Sequence, residues 1–184
     1  MVVYVLYIKA DLESVASVAL QPGANLSVSV RNPLDVNQVR KIVIDMSALE
    51  PEVAAKEHMK NTHAEAPCHF ALKWDHDEQT RSTIHVLGLS STAATTGNNK
   101  KSKKSKVPPV REMKGSDSGS FVPMLALDCQ GIEPFAFHPM ANEFLVTNSA
   151  GVQFQEVDLS SGDWDAYDLS TGTTSVMSLQ AKFE

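Results

Sequence analysis

Apolar and polar residues alternate along most of this chain with a period of two, the pattern of strands that bury one face. The apolar rows are Leu26, Val28 and Val30; Ile42, Ile44 and Met46; Phe70, Leu72 and Trp74; Ile84 and Val86; Leu125, Leu127 and Cys129; and Met177, Leu179, Ala181 and Phe183. Residues 2–8 are apolar at nearly every position, which predicts a central strand buried on both faces. The spacing predicts an all-β fold of roughly eight to ten strands, a mostly antiparallel β sandwich or open barrel.

Helix-favouring signals are few and confined to two places. Pro51 stands at the first turn of the segment from Leu49 to Met59, and Glu52 and Glu57 complement a helix dipole there. One short helix is therefore predicted over that segment. A single helical turn over residues 35–39 is a second candidate.

Residues 90–119 interrupt the alternating pattern. They begin with a low-complexity run of Ser, Thr, Ala, Gly and Asn, continue through five lysines between Lys100 and Lys106, and end rich in Pro, Gly and Ser. Such a segment buries too little apolar surface to offset the entropy of ordering it, so a long disordered insertion is predicted. The chain as a whole, 1–184, is predicted to be a single β domain, with two lobes, 1–89 and 120–184, as the alternative.

Composition and charge limit the function classes. No apolar run is long enough to span a bilayer, no export signal precedes the first strand, and two cysteines make no disulfide scaffold, so a cytoplasmic protein without membrane association is expected. Residues 121–184 contain nine acidic residues and one basic residue, a net charge of −8, which argues against general nucleic-acid binding. The Lys100–Lys106 tract has the composition of a nuclear-import signal and equally of a solvated loop.

Linear catalytic motifs are missing from the sequence. It contains no GxSxG elbow, no phosphate-binding glycine loop and no HExxH, and we therefore expect a protein that is not an enzyme. Cys129 alternates with Leu125 and Leu127, and no basic residue adjoins it, which predicts a buried and unreactive thiol.

Three short strings carry a resemblance to a known family. They are Ile8-Lys9-Ala10-Asp11-Leu12-Glu13; Cys129-Gln130-Gly131-Ile132-Glu133-Pro134; and Gly162-Asp163-Trp164-Asp165-Ala166-Tyr167-Asp168. In these strings the chain resembles the eukaryotic family of CXXC-motif-containing zinc-binding proteins, strongly over 121–184, moderately over 1–20 and by strand order over 21–89. The resemblance implies a mostly antiparallel β fold in the cytoplasm, with zinc binding and no recognised catalytic activity.

The cysteines that define that family's zinc site do not occur here. In the family, two CxxC pairs at turns between strands supply four thiolates to a tetrahedral zinc. By their flanking strands, the pairs fall near Val30 and Pro33 and near Asp75 and Glu78 in this chain. Valine and proline side chains cannot ligate, and carboxylates match a structural zinc poorly, so no cofactor is predicted. Since a structural zinc contributes folding energy, apolar packing near Val30, Pro33 and Trp74 is expected to compensate.

A substitute metal site is the alternative. Its candidate ligands are Cys68, His69, Asp75, His76 and Glu78. Cys68 and His69 are adjacent, so on a strand they point to opposite faces and cannot share one ion. Surface histidines around a hairpin are therefore the favoured interpretation.

Four residues of the matching strings are candidates for an interaction surface: Glu133, Trp164, Tyr167 and Asp168. Trp and Tyr present large, stiff faces with a polar group, as recognition surfaces do. The competing interpretation is structural, with Gly131 and Pro134 building a turn around Glu133, and Trp164 holding a loop on the sheet. The structural interpretation is favoured for both strings.

Together these features predict a non-enzymatic protein that resembles the zinc-binding family, has lost the zinc cysteines and serves as a scaffold for an unidentified protein partner. A protein that binds zinc or another divalent metal through the substitute ligands is the alternative. The sequence does not indicate an oligomeric state.

Overall fold

The computed structural model describes residues 1–48, 67–75, 81–88 and 108–184, which form thirteen β-strands and one 3₁₀ turn, Gly115–Asp117. The strands are β1 Val2–Glu13, β2 Val15–Leu20, β3 Asn25–Asn32, β4 Asp35–Asp45, β5 Phe70–Leu72, β6 Ser82–Val86, β7 Met113–Lys114, β8 Val122–Gln130, β9 Glu133–His138, β10 Phe144–Asn148, β11 Gln153–Val157, β12 Trp164–Asp168 and β13 Gly172–Phe183. The all-β prediction is confirmed. The helix predicted from Leu49 to Met59 lies outside the described residues.

Three sheets, with every pairing antiparallel, make up the described part of the chain. Their strand orders are β12-β13-β1-β8-β6-β5, β11-β10-β2-β7 and β4-β3-β9. Each sheet combines strands from before residue 89 with strands from after residue 108. Strand β1 lies inside the largest sheet between β13 and β8, which explains why residues 2–8 are apolar throughout.

One continuous hydrophobic core joins the sheets. Its fully buried members include Leu6 and Ile8 of β1, Leu26 of β3, Leu125 of β8 and Phe144 of β10. Leu6 pairs directly with Leu125 in the register of the largest sheet. The predicted apolar rows on β3 and β8 therefore form the inner faces of two different sheets.

The helical turn considered over residues 35–39 is wrong, because this segment begins strand β4. Asn32 and Asp35 face each other across a tight turn, where the Asn32 Oδ1 atom accepts the Leu34 N–H at 2.9 Å and the Asp35 Oδ1 atom accepts the Asn37 N–H at 3.1 Å. Asn and Asp side chains that accept from the backbone two residues later favour turns over helices.

The last part of the predicted insertion, residues 108–119, belongs to the fold. Met113 is fully buried and pairs with Val18, and a Cβ atom on Gly115 would lie 2.3 Å from the Val15 carbonyl oxygen. The Arg111 guanidinium donates to Asp117 and lowers the pKa of that carboxyl to about 2. The C-terminal boundary predicted for the insertion is thus too late, and residues 90–107 lie outside the described residues.

Candidate functional site

Two turns lie beside each other in the region where the family resemblance places its metal. The first turn, residues 32–35, joins β3 to β4, and the second turn, residues 73–75, follows β5. Val30 is fully buried within β3, and Pro33 is exposed in the first turn. Neither residue presents a ligand atom towards the second turn, so the ligand positions expected near Val30 and Pro33 are occupied by a core side chain and a turn side chain.

Polar side chains connect the two turns. Gln38 donates one Nε2 hydrogen bond to the Asp35 carboxylate at 3.1 Å and another to the Asp75 carbonyl oxygen at 3.4 Å. Arg40 donates to the Asp75 carboxylate at 2.8 Å. Asn32 adds a 3.4 Å hydrogen bond from its Nδ2 atom to Gln38. We call these five residues, Asn32, Asp35, Gln38, Arg40 and Asp75, the turn clamp.

Strand geometry explains how the clamp spans the gap. Gln38 and Arg40 are two residues apart on β4, so their side chains leave the strand on the same side. The Arg40 guanidinium also lies 5.5 Å from the centre of the Trp74 ring, a cation–π contact. Trp74 is itself buried, and its Nε1 atom donates to the Gly131 carbonyl oxygen at 2.8 Å. The second turn is therefore held by β4 on one side and by the β8–β9 turn on the other.

The residues at the two turns do not fit a structural zinc. The Asp75 carboxylate is a hard oxygen donor and already faces the positive charge of Arg40. The other clamp groups are amides and a carboxylate engaged in hydrogen bonds within the clamp. Across the described ranges, no group of three or more His, Cys, Asp or Glu side chains is arranged to hold a metal ion.

The substitute ligands are similarly engaged where the structure describes them. Cys68 is fully buried, with the Arg81 guanidinium 3.5 Å from its sulfur. The His69 Nδ1 atom accepts the Val86 N–H at 3.1 Å, and burial, with a smaller contribution from His85, lowers the pKa of His69. His76 and Glu78 lie outside the described residues.

Glu133 anchors the strand that follows the β8–β9 turn. It opens β9 directly opposite Arg31 of β3, and the two side chains form an ion pair. The hydrogen bond from Arg31 is the main reason why the pKa of Glu133 is lowered. Gly131 holds the turn with a φ of 67°, a conformation that favours glycine. These contacts support the structural interpretation of this string.

The second candidate string lies on and beside edge strand β12, and its members have different environments. Trp164 is half-buried and packs edge-to-face on Phe154 at 5.3 Å. Asp168 accepts the Ser170 N–H at 2.8 Å and a hydrogen bond from the Ser170 hydroxyl, which together lower the pKa of Asp168 and close the turn into β13. Tyr167 is 73% exposed, and the neighbouring Leu169 is 94% exposed. Trp164 and Asp168 thus support the strand, while Tyr167 and Leu169 face solvent.

Two further ionisable side chains, Cys129 and Glu143, are buried in the interior. Burial is the main cause that raises the pKa of the Cys129 thiol to about 12, so this thiol stays protonated at neutral pH and is a poor nucleophile. Glu143, 2% exposed, accepts the Met140 N–H at 2.7 Å, and burial raises the pKa of this carboxyl to about 7. Both groups belong to the buried interior of the described part of the chain.

The roles of Gln38, Arg40 and Leu169 were not predicted from the sequence. Their only local signal is an even spacing of polar residues on β4, and an apolar residue within a polar turn. Arg40 and its partner Asp75 are 35 positions apart, and no periodicity joins them.

Comparisons with known proteins identify a family and a fold for this chain. A family model described as CXXC motif containing zinc binding protein, eukaryotic, matches residues 5–184. UPF0587 protein CG4646 from Drosophila melanogaster is 42% identical over 52 residues, which are 28% of this chain and 32% of that protein. The match thus spans about a third of the length of this relative.

Two solved structures have the same fold. A hypothetical protein from Plasmodium falciparum superimposes with a TM-score of 0.74 at 19% identity over 100% of both chains. The structure titled Crystal Structure of C1orf123 superimposes with a TM-score of 0.75 at 14% identity over 100% of this chain and 99% of the other. At these identities the likeness establishes the fold alone.

Proposed function

This chain belongs to the eukaryotic family of CXXC-motif-containing zinc-binding proteins, and from that premise we propose that it is a metal-independent member that serves as a protein-interaction scaffold. In this proposal the turn clamp takes the place of the zinc site, and the protein is a non-enzymatic component of the cytoplasm. The proposal has two parts, the loss of the metal and the use of the scaffold, and each is supported by its own observations.

The observation that carries the first part is the Arg40–Asp75 contact of 2.8 Å between strand β4 and the second turn. A zinc ion would join these turns through thiolates, whereas here Gln38 hydrogen-bonds to both Asp35 and Asp75, and Arg40 of β4 pairs with the Asp75 carboxylate. A divalent cation at Asp75 would have to displace Arg40 and would gain no thiolate in return, since Cys68 is buried beside Arg81 and Cys129 lies on β8. In this proposal the clamp and a zinc site would therefore hold the same two turns in mutually exclusive ways.

Packing supports the same conclusion. The proposal expects apolar packing near these turns, and Val30 and Trp74 are 0% and 5% exposed. Pro33 is exposed and does not contribute to it. In this proposal the zinc is replaced partly by apolar packing of Val30 and Trp74 and partly by the polar contacts of the clamp.

The second part, a scaffold for a protein partner, is supported by the exposed side chains of Tyr167 and Leu169. Neighbouring exposed apolar side chains can form a contiguous patch of the kind that marks interaction sites, and Tyr is enriched among the residues that dominate binding there. The supporting contacts of Trp164 and Asp168 keep that strand in place, which lowers the ordering cost of binding.

The alternative function, binding of a divalent metal, is favoured by the sequence proximity of Cys68, His69 and Asp75 to His76 and Glu78. Against it stand the contacts of the first three residues with Arg81, Val86 and Arg40. A metal would have to break several of these contacts to gather its ligands.

Metal content distinguishes the two functions. Protein purified without an affinity tag and without added metal is analysed by elemental mass spectrometry, and we expect zinc far below one ion per chain. Near-stoichiometric zinc that disappears in Cys68→Ala or His76→Ala would establish the alternative. A Lys41→Met variant, changed on the outer face of β4, serves as the matched control and is expected to have the same metal content as the wild type.

A further inference from the structure

We propose that edge strand β12 binds an extended, positively charged segment of a partner protein, which joins the six-stranded sheet as an additional strand. This inference rests on the scaffold part of the proposed function and specifies its surface and the chemistry of its partner. Four features of residues 158–172 support it: the free backbone edge, the exposed side chains, the charge and the rigidity of the strand.

The backbone of β12 has a free side. The strand ends the order β12-β13-β1-β8-β6-β5 and pairs with β13 through all five of its residues, Trp164–Asp168. Within the described residues no other strand pairs with it. An unpaired edge presents a row of N–H and C=O groups that an extended peptide can bind, with main-chain hydrogen bonds giving affinity and alternate side chains giving specificity.

The side chains on the outer face of this edge are suited to contact such a peptide. Asp165 and Tyr167 are two residues apart on β12, so they share one face, and both are exposed. Leu169, 94% exposed, extends the apolar surface into the turn that follows. A strand docked beside β12 would place a side chain next to Asp165 and another next to Tyr167, at cross-strand contact distance.

Charge selects the kind of partner. Asp165 and Asp168 lie on the strand, Asp163 directly precedes it, and the chain has no lysine or arginine between Lys114 and Lys182. Glu13 of β1 lies in register with Asp165 through Ser175 of β13, which extends the acidic surface across the sheet. A second copy of this chain would bring the same acidic edge against it, and like charges disfavour that pairing. A partner segment with lysine or arginine at alternate positions would complement the acidic edge of β12.

The strand is already held in a binding conformation. Asp163 accepts the Ser178 N–H at 2.7 Å, Trp164 packs on Phe154, and the Asn148 Nδ2 atom donates to the Thr171 hydroxyl at 2.9 Å across the hairpin end. Ordering costs on binding therefore fall mainly on the peptide. Asp165 and Tyr167 take no part in these supporting contacts, so they can be replaced without removing them.

The test uses the full chain and two fluorescein-labelled eight-residue probes, one alternating lysine with valine and one alternating lysine with phenylalanine. Fluorescence anisotropy should show salt-sensitive binding of at least one probe, because its lysines face aspartates. Asp165→Lys should weaken that binding about tenfold, since it replaces an attraction by a repulsion. Tyr167→Ser combined with Leu169→Ser should weaken it by a similar factor and leave the salt dependence intact. Glu112→Lys, the same charge change beside β7 at the far edge of another sheet, should leave it unchanged.

Amide hydrogen exchange locates the probe. Binding should slow exchange in residues 164–169 and leave the β4 edge unaffected. The proposal is overturned if neither probe binds, if a probe alternating glutamate with valine binds as well, if Asp165→Lys has no effect, or if the free protein associates with itself through β12. These results are separable from the question of metal content. If the protein contains no zinc and binds neither probe, the metal-independent part of the proposed function still stands, and only the β12 binding site is removed. Slowed exchange on a different surface would retain a scaffold but remove β12 as its site.

Discussion

Arg40 makes two contacts that decide how the second turn is held, an ion pair with Asp75 and a cation–π contact with Trp74. The ion-pair side chains are 39% and 72% exposed, so solvent screens the pair, and such pairs contribute about 0.2–1 kcal/mol. An exposed cation–π contact contributes about 0.5–1 kcal/mol. A structural zinc contributes roughly 10 kcal/mol or more in small zinc-dependent domains. The clamp therefore positions the turn, while burial of the surrounding core supplies most of the stability.

The clamp can be measured with a double-mutant cycle on Arg40→Met and Asp75→Asn. We expect Arg40→Met to lower the free energy of unfolding by about 1 kcal/mol, because it removes both contacts of the guanidinium. Asp75→Asn should cost less, and the two changes together should cost less than the sum of each alone. Denaturant unfolding followed by circular dichroism provides the values.

Two controls make that cycle specific. Lys41→Met removes a neighbouring charge on the outer face of β4 and should change stability by only a few tenths of a kcal/mol. Arg40→Lys keeps the charge but loses the planar face, and should fall between wild type and Arg40→Met. Strict additivity in the cycle would mean that the two side chains do not stabilise each other in solution.

Among the secondary-structure elements, the β8–β9 turn determines where the second turn, residues 73–75, lies. The β8–β9 turn brings the Gly131 carbonyl oxygen to Trp74 at 2.8 Å, and Gly131 has a φ of 67°. A Cβ atom at this position would lie 2.5 Å from the Ser82 hydroxyl oxygen and 3.3 Å from the Ser82 Cβ atom. Glycine is required there both by the backbone conformation and by the contact with β6.

Gly131→Ala should therefore destabilise the protein by about 2–3 kcal/mol, combining strain at positive φ with overpacking against Ser82. Gly151→Ala is the matched comparison, because Gly151 has a φ of 88° and a Cβ atom added to it would meet no other atom within 4 Å. Gly151→Ala should lower the free energy of unfolding by about 1 kcal/mol, the cost of the backbone strain alone. Adding Ser82→Ala to Gly131→Ala should recover part of the difference, and equal costs for the two glycines would contradict the proposed contact. Thermal and denaturant unfolding measure all of these variants.

Elements differ in how far the sequence predicts them. Alternation of apolar and polar residues identified β3, β4, β8 and β13, although β8 is in fact buried on both faces, and the uniformly apolar residues 2–8 identified the central strand. Strand β7 was missed because its two residues, Met113–Lys114, lie between segments rich in Pro, Gly and Ser. The start of β4 was mistaken for a helical turn because the side-chain hydrogen bonds of Asn32 and Asp35 are not a periodic signal. The odd spacing of Trp164 and Tyr167 places them on opposite faces of a strand, but which of the two faces is exposed depends on strand order.

Across the described part of the chain, pairing between strands fixes the positions of both turns. The first turn is attached to β3, which pairs with β4 and β9, and the second follows β5, which is joined through β6 to β8. Strands β8 and β9 are in turn connected by the turn at Gly131. Strand pairings between distant parts of the chain thus connect both turns through one continuous series of strands. The absence of the zinc cysteines is evident from the sequence. The strand pairings that connect the turns, and the clamp between them, could not be predicted from it, because their members are far apart along the chain.

Thermal unfolding with and without a zinc chelator tests this account most directly. Tag-free protein is heated in plain buffer, in excess chelator, and in chelator followed by excess zinc, while circular dichroism follows the loss of β structure. Because the core, the sheet pairings and the clamp hold the turns, we expect one cooperative transition with the same Tm in all three conditions. A Tm that falls with chelator and returns with zinc would show that a metal holds the two turns, and would contradict the claim that the clamp has replaced it.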